Sequence, residues 1–374
     1  MSDQFGVRHH DVAFHVGDMS PTTKAVSCHR TPKLFIVKIA QFRFNLKELK
    51  VFFRVSVLQW LIVFLFIINP FFAAAEIEIT VDGTKLDKGL KDGGIVSISL
   101  AEKAEGYSLY SIIYMSDGLR ITGKLFVPEA AEGKRLPGVV FNHGGVSGIP
   151  QPMLLRCGEL AAMEYVVMAP SYRGEDGSEG EVEVAAGEVN DALNAMNLLR
   201  RLPYIDPDRI GMVGTSHGAL ITLLATTRTT NIKAAIAAYG VTNAVSWYRY
   251  LVENGFDVSD PLSVKVYGKG PDDRPDAFRV RSPVLFAEKI TTPLLLLYGE
   301  NDKTIPPSQG KEMQEKLRKL KKDFEFKIIP AVGHGFLFFL DPEKHSKEEM
   351  KEADAAWQLV VQFLDKHLRH GDKK

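Results

Sequence analysis

Over most of its length this chain alternates short apolar runs with amphipathic segments. Apolar runs at 138–142, 165–169, 210–213, 234–238, 293–298 and 324–329 predict strands. Between two of them, 188–201 places Val189, Ala192, Leu193, Met196 and Leu199 on one face at helical spacing. Strands separated by helices predict a parallel sheet wound with helices on both faces. Ahead of them, 107–127 reads as two β-rich runs joined through Ser116-Asp117-Gly118, a hairpin that makes the front edge antiparallel. The expected fold is therefore α/β, a mostly parallel, doubly wound sheet with an antiparallel N-terminal edge. One stretch departs from the alternation. Residues 245–289, with Asp260-Pro261 and Arg274-Pro275, are too long for a plain connection and predict a lid or cap of short helices over the sheet's C-terminal edge.

The front of the chain has a different pattern. A basic stretch, Lys47 to Arg54, precedes an apolar run from Val55 to Ile68, broken by Asn69-Pro70 and followed by Ala73-Ala74-Ala75. Basic region, apolar core and small-residue site are the parts of a secretory signal over 46–75, with cleavage expected after Ala75. The run is short of the roughly 20 apolar residues a membrane span needs. A retained anchor through 51–72 is the alternative to an exported protein. Residues 1–45 show no periodicity; they are either an unstructured leader or lie upstream of a true start near Leu46–Val51. The remainder, 76–370, reads as one domain.

Composition adds mainly exclusions. The 374 residues are 45% hydrophobic and 25% charged, with 46 Lys+Arg against 46 Asp+Glu, which gives no sign of a nucleic-acid partner. Residues 1–75 are the basic part, with 9 Lys/Arg and 4 Asp/Glu. Cys28 lies ahead of the cleavage site, so only Cys157 remains and no internal disulfide is expected. No H-E-x-x-H, Cys-x-x-Cys or Walker pattern occurs, and no metal or other cofactor is implied. The basic cluster Lys316 to Lys322 is read as the solvated end of a helix, where cations suit the dipole.

Chemistry concentrates at Gly214-Thr215-Ser216-His217-Gly218, between a strand-like run and the helix-like Ala219-Leu220-Ile221. Gly-x-Ser-x-Gly in that setting is the nucleophile elbow of α/β-hydrolase folds. It exposes Ser216 at a helix N-terminus, where the His217 amide and the helix dipole face a developing oxyanion. A serine needs a base oriented by a carboxylate, and in such folds these follow in the order Ser, Asp/Glu, His. Asp302 breaks from the strand at 293–298, and His334 follows the next strand on a glycine-flanked loop. Glu300 is the rival acid. His143-Gly144-Gly145, after the strand at 138–142, has the form of the loop that supplies a second oxyanion donor, from Gly144 or Gly145.

From about Leu136 to His367 the chain resembles the catalytic domain of the prolyl oligopeptidase family of serine peptidases. The resemblance rests on His143-Gly-Gly, Ser171-Tyr-Arg-Gly174, Asp206-Pro-Asp-Arg-Ile-Gly211 leading into the elbow, Ser282-Pro283, Thr292 to Asp302 and Gly333-His-Gly-Phe336. It implies Ser216, Asp302 and His334 as a catalytic triad, with no cofactor. It also implies a specificity pocket walled by aromatics after Tyr239-Gly240, for which Trp247, Tyr248 and Tyr250 are candidates; packing of a cap helix is the alternative role. Family peptidases carry a β-propeller ahead of this domain, and the roughly 60 residues after Ala75 are too few for one. Shorter relatives include carboxylesterases and sugar-ester hydrolases; dienelactone hydrolases use a cysteine where this chain has Ser216. The expected function is an exported serine hydrolase acting on a short peptide or small ester through an acyl-enzyme. An esterase without peptidase activity and a non-catalytic binding protein of the same fold are the alternatives.

Overall fold

The computed structural model describes residues 91–131 and 133–369. The expectations for a leader over 1–45 and a signal over 46–75 fall outside the described residues. Nine strands form one sheet in the order β1-β2-β3-β5-β4-β6-β7-β8-β9. They are β1 (Ile95–Ala104), β2 (Tyr107–Ser116), β3 (Leu119–Pro128), β4 (Leu136–Asn142), β5 (Val166–Pro170), β6 (Ile205–Thr215), β7 (Ala234–Ala238), β8 (Leu294–Gly299) and β9 (Phe324–Ile329). Pairing is antiparallel from β1 through β3 and on to β5, and parallel everywhere else. The hairpin turns at Asp117-Gly118, as the pattern predicts. The front edge carries one strand more than expected, β1, which pairs along the outside of β2.

Strands β5, β7 and β8 are apolar along their length because both faces of the sheet are covered there. Along β4 and β8, alternate side chains go to opposite sides. Val140, Leu294 and Leu296 join one core, and Val139, Phe141, Leu295 and Leu297 the other. Helices α1 (Gln151–Ala162) and α8 (Lys347–Leu368) cover the second of these faces; α2 (Glu188–Leu199), α3 (His217–Thr226) and α7 (Pro307–Lys319) cover the first. The start of α8 is fixed by a capping box, in which Ser346 Oγ accepts the Glu349 amide and the Ser346 amide donates to the Glu349 carboxylate.

The segment 245–289 forms a cap of short helices, α4 (Ala244–Glu253), α5 (Pro261–Tyr267) and α6 (Pro275–Val280), and a 3-10 turn at Pro283–Lys289. Asp260-Pro261 and Arg274-Pro275 turn out to be helix starts: proline at a first position has no amide to leave unpaired. Asn243 and Asp260 accept the first free amides of α4 and α5. Among the described residues no helix is long and apolar enough to cross a membrane. The C-terminal ends of β4, β6, β7, β8 and β9 all open under this cap, where ligands sit in open α/β sheets.

Candidate active site

Ser216 joins the end of β6 to the start of α3 with φ 53° and ψ −117°, a conformation costing a serine about 1–3 kcal/mol. The surroundings enforce it. A Cβ on Gly214 would collide with the Gly218 carbonyl oxygen, and one on Gly218 with that of Asn142. The turn therefore closes only with glycine at both places. The Ser216 amide donates to the Ala238 carbonyl at the end of β7, 3.0 Å away, which ties the elbow to the neighbouring strand.

His334, on the loop after β9, reaches back to it. Its Nε2 lies 3.0 Å from Ser216 Oγ, and its Nδ1 lies 2.8 Å from Asp302 Oδ2. The Asp302 side chain has no solvent exposure, and its other oxygen accepts the Thr304 and Ile305 amides at 2.8 and 2.9 Å. The carboxylate is thus aimed by its own turn. Glu300 is exposed and accepts the Ala331 amide at 3.3 Å, away from the imidazole. The edge of the Tyr239 ring packs on His334 with centroids 4.9 Å apart. Hydroxyl, imidazole and carboxylate in this order can move a proton off Ser216 and hold the resulting imidazolium.

The loop after β4 packs on the elbow: a Cβ on Gly144 would lie 3.0 Å from Ser216 Cβ. Two buried imidazoles fix its carbonyls. His143 Nδ1 is 2.9 Å from the Gly144 carbonyl, and His217 Nδ1 is 2.9 Å from that of Gly145. Burial pushes both imidazoles down to about 4, so both are neutral donors at Nδ1. In a trans peptide the N–H points opposite to the C=O. With the Gly144 oxygen held by His143, the Gly145 N–H points the opposite way. The His217 N–H, at the first position of α3, has no partner within the helix. Sequence reasoning named the backbones of these residues and missed the two side chains; the histidines of His143-Gly-Gly and Ser216-His217 were the available signal.

A cavity of about 360 Å³ opens above Ser216, with Gly144, Gly145, His217 and His334 in its wall. Of the three aromatic candidates, Trp247 lines it, and its indole donates to the Thr304 carbonyl at 3.0 Å. Tyr248 and Tyr250 lie outside the lining. Tyr248 packs edge-on against Phe278, and the Tyr250 hydroxyl donates to the Lys303 carbonyl. The reason is the helix period: on α4 it is Leu251, four residues on, that shares the Trp247 face. Val184, Val241, Tyr267, Ile305 and Phe338 complete a mostly apolar wall that the sequence pattern did not single out. No group of three His, Cys, Asp or Glu able to hold a metal occurs among the described residues.

Behind the Gly144–Gly145 loop, Glu175 is buried, accepts the Gly148 amide at 2.5 Å and lies 3.7 Å from His143 Nε2. Burial, aided by Glu188 and Asp176, pushes its carboxyl up to about 8. The folded protein then holds a proton there that the unfolded chain releases above about 4.5. That contribution is complete in acid and is lost as pH rises through 8. His143 and His217 act in the opposite sense, losing stability only as pH falls from 6.5 toward 4. Between pH 6.5 and 8, Glu175 acts alone among the three. Urea titrations should show wild type losing about 2 kcal/mol over that window relative to Glu175→Gln. Parallel pH curves for the two proteins would refute the assignment.

The wound sheet, the glycine-walled elbow and the Ser–His–Asp relay at the strand ends define a serine hydrolase of α/β-hydrolase fold. Residues 155–368 match the sequence model of the prolyl oligopeptidase family, and the chain belongs to that family. It is 31% identical to the uncharacterized peptidase YtmA of Bacillus subtilis (strain 168) over 229 residues, 61% of this chain and 86% of the relative. Among solved structures, the acylaminoacyl peptidase of Pyrococcus horikoshii superposes with a TM-score of 0.60 at 24% identity, over 71% of this chain and 42% of the other. An acylaminoacyl peptidase in complex with Z-Gly-Gly-Phe-chloromethyl ketone gives 0.60 at 26% identity, over 71% and 43%. The chain thus spans most of the Bacillus relative and less than half of the two larger peptidases.

Proposed function

We propose that the chain hydrolyses a short peptide, or an ester of similar shape, whose acyl part carries an apolar side chain. The observation behind this reading is the Ser216–His334–Asp302 hydrogen-bond relay opening into a mostly apolar cavity. Ser216 Oγ attacks the carbonyl carbon while His334 Nε2 takes its proton. The oxyanion is received by the N–H groups of His217 and Gly145. As the tetrahedral intermediate collapses, His334 returns the proton to the departing amine or alcohol, leaving an acyl-enzyme on Ser216. Water then repeats the sequence, giving up a proton to His334 and releasing the acid. Throughout, Asp302 keeps the imidazole proton on Nδ1. Family membership and the Phe-containing peptide inhibitor held by one structural neighbour favour a peptide over a simple ester. The side-chain cavity takes the residue whose carbonyl is attacked; Trp247 and Tyr267 stand in its wall.

A fluorophosphonate probe tests the nucleophile: wild type should label and Ser216→Ala should not. Substrate class is tested with succinyl-Ala-Ala-Phe p-nitroanilide against p-nitrophenyl butyrate. Hydrolysis of the ester alone would leave an esterase. A folded wild type that takes neither substrate nor probe would leave the binding-protein alternative.

The signal pattern at 46–75 supports export. Produced in a secreting host, the protein should appear outside the cytoplasm with Glu76 as its first residue by N-terminal sequencing. A cytoplasmic product that still carries 46–75 would contradict it.

A further inference from the structure

We infer that Val184 sets the size limit of the acyl cavity, and that Glu188 and Arg281 clamp it there in a backbone conformation it would not otherwise keep. The inference rests on the reading of that cavity as the acyl site. Val184 stands in the same cavity wall as Ser216 and Tyr267. Its φ is 55°, and that of Ala185 is 58°. A β-branched residue at positive φ is a true outlier, because its Cβ crowds the following carbonyl. Relaxation of the turn would carry the valine side chain out of the wall.

Both peptide groups of Val184 are held. From one side comes the carboxylate of Glu188, which is fully buried. Its Oε1 accepts the amides of Glu183 and Val184 at 2.6 and 2.9 Å, and its Oε2 accepts that of Ala186 at 3.0 Å. From the other side comes Arg281, at the end of α6 in the cap. Its Nε donates to the Val184 carbonyl at 2.5 Å and its Nη2 to the Glu183 carbonyl at 2.6 Å. Nη1 donates to Ala277 of its own helix, and the guanidinium lies 5.6 Å from the Tyr267 ring centroid. Among the described residues Arg281 makes no ion pair with a carboxylate. A nearly buried guanidinium satisfied by carbonyls alone is a poor stabiliser. It serves here to hold the turn that bears Val184 against the cap. A glycine at 184 would adopt the same φ without strain and leave the wall open. Valine closes it.

Rates of p-nitrophenyl octanoate and p-nitrophenyl acetate hydrolysis, compared as a ratio of kcat/KM, read the size limit. Val184→Ala, which removes two methyl groups, should raise the octanoate-to-acetate ratio about 10-fold or more, and Val184→Leu should lower it by a similar factor. Val184→Gly, which tolerates the φ, should raise the ratio as alanine does and serves where the other variants fail to fold. Arg281→Met should move the ratio toward that of Val184→Ala when residue 184 is valine, and should leave it unchanged when residue 184 is glycine. Ratios equal to wild type in folded Ala, Leu and Gly variants would overturn the assignment of Val184. A shift from Arg281→Met that persists in the glycine background would overturn the clamp. A wild type inert to both esters and to the fluorophosphonate probe would remove the functional reading, and this inference with it.

Discussion

Replacing Asp302 by Asn should lower kcat about 10⁴-fold in a protein that remains folded, the magnitude found when a serine protease loses its orienting carboxylate. The geometry shows how. The substituted asparagine would keep its carbonyl oxygen toward the Thr304 and Ile305 amides, which donate to Asp302 Oδ1 at 2.8 and 2.9 Å. Its amide nitrogen would then face His334 Nδ1 in place of Oδ2, which accepts there at 2.8 Å. Donor facing donor is untenable, so the imidazole adopts the tautomer with its proton on Nε2. That nitrogen is the one 3.0 Å from Ser216 Oγ, and once protonated it cannot take the serine proton. Glu300→Gln touches only an exposed bond to the Ala331 amide and should change kcat less than about 2-fold. Steady-state kinetics on one nitrophenyl ester, with circular dichroism to check folding, decides between them. A larger loss from Glu300→Gln would reverse the choice of acid.

The central strands were legible in the sequence because both their faces are covered. β4, β7 and β8 read as strands because a central parallel strand is apolar throughout and short. β1 was not legible. It lies at the edge, none of its residues is fully buried, and its sequence Ile95-Val-Ser-Ile-Ser-Leu-Ala-Glu-Lys-Ala104 mixes polar and apolar positions as any exposed segment does. The order Ser216, Asp302, His334 was legible for a related reason. Each residue follows a strong strand, and the sheet's parallel sense puts all their ends on one side.

The cavity wall was not. Its residues come from the turn at 184, from β7's end, from α4, α5 and the stretch between them, and from the loops after β8 and β9, and no local period links them. Tyr248 and Tyr250 show the difficulty on a single helix: composition nominates three aromatics, and only Trp247 stands on the face that looks inward. Strain is equally hidden. Nothing in Glu183-Val184-Ala185 announces a positive φ, because the bonds that impose it come from Glu188 and from Arg281, 97 residues away.

His217 carries the second large effect. Its backbone N–H and that of Gly145 are the proposed oxyanion donors, and its side chain holds the Gly145 carbonyl through Nδ1 at 2.9 Å. One residue therefore supplies one donor and positions the loop bearing the other. His217→Phe keeps the ring's bulk but frees the Gly145 carbonyl, and the Gly144–Gly145 loop can then drift. Misplacing a preorganised donor by about 1 Å costs on the order of 10²-fold, and losing one costs about 10²–10³-fold. Because the bound substrate carries no oxyanion, which develops only as the tetrahedral intermediate forms, the loss should fall on kcat and leave KM near its wild-type value. His217→Asn, whose amide can donate from nearly the place of Nδ1, should recover most of it. A purely structural role predicts otherwise: a lowered melting temperature, no selective effect on kcat, and no rescue by asparagine over phenylalanine. Measuring kcat, KM and the rate of fluorophosphonate labelling in both variants separates the two roles. Full kcat in a folded His217→Phe would remove His217's side chain from the mechanism, while leaving Ser216, His334 and Asp302 in place.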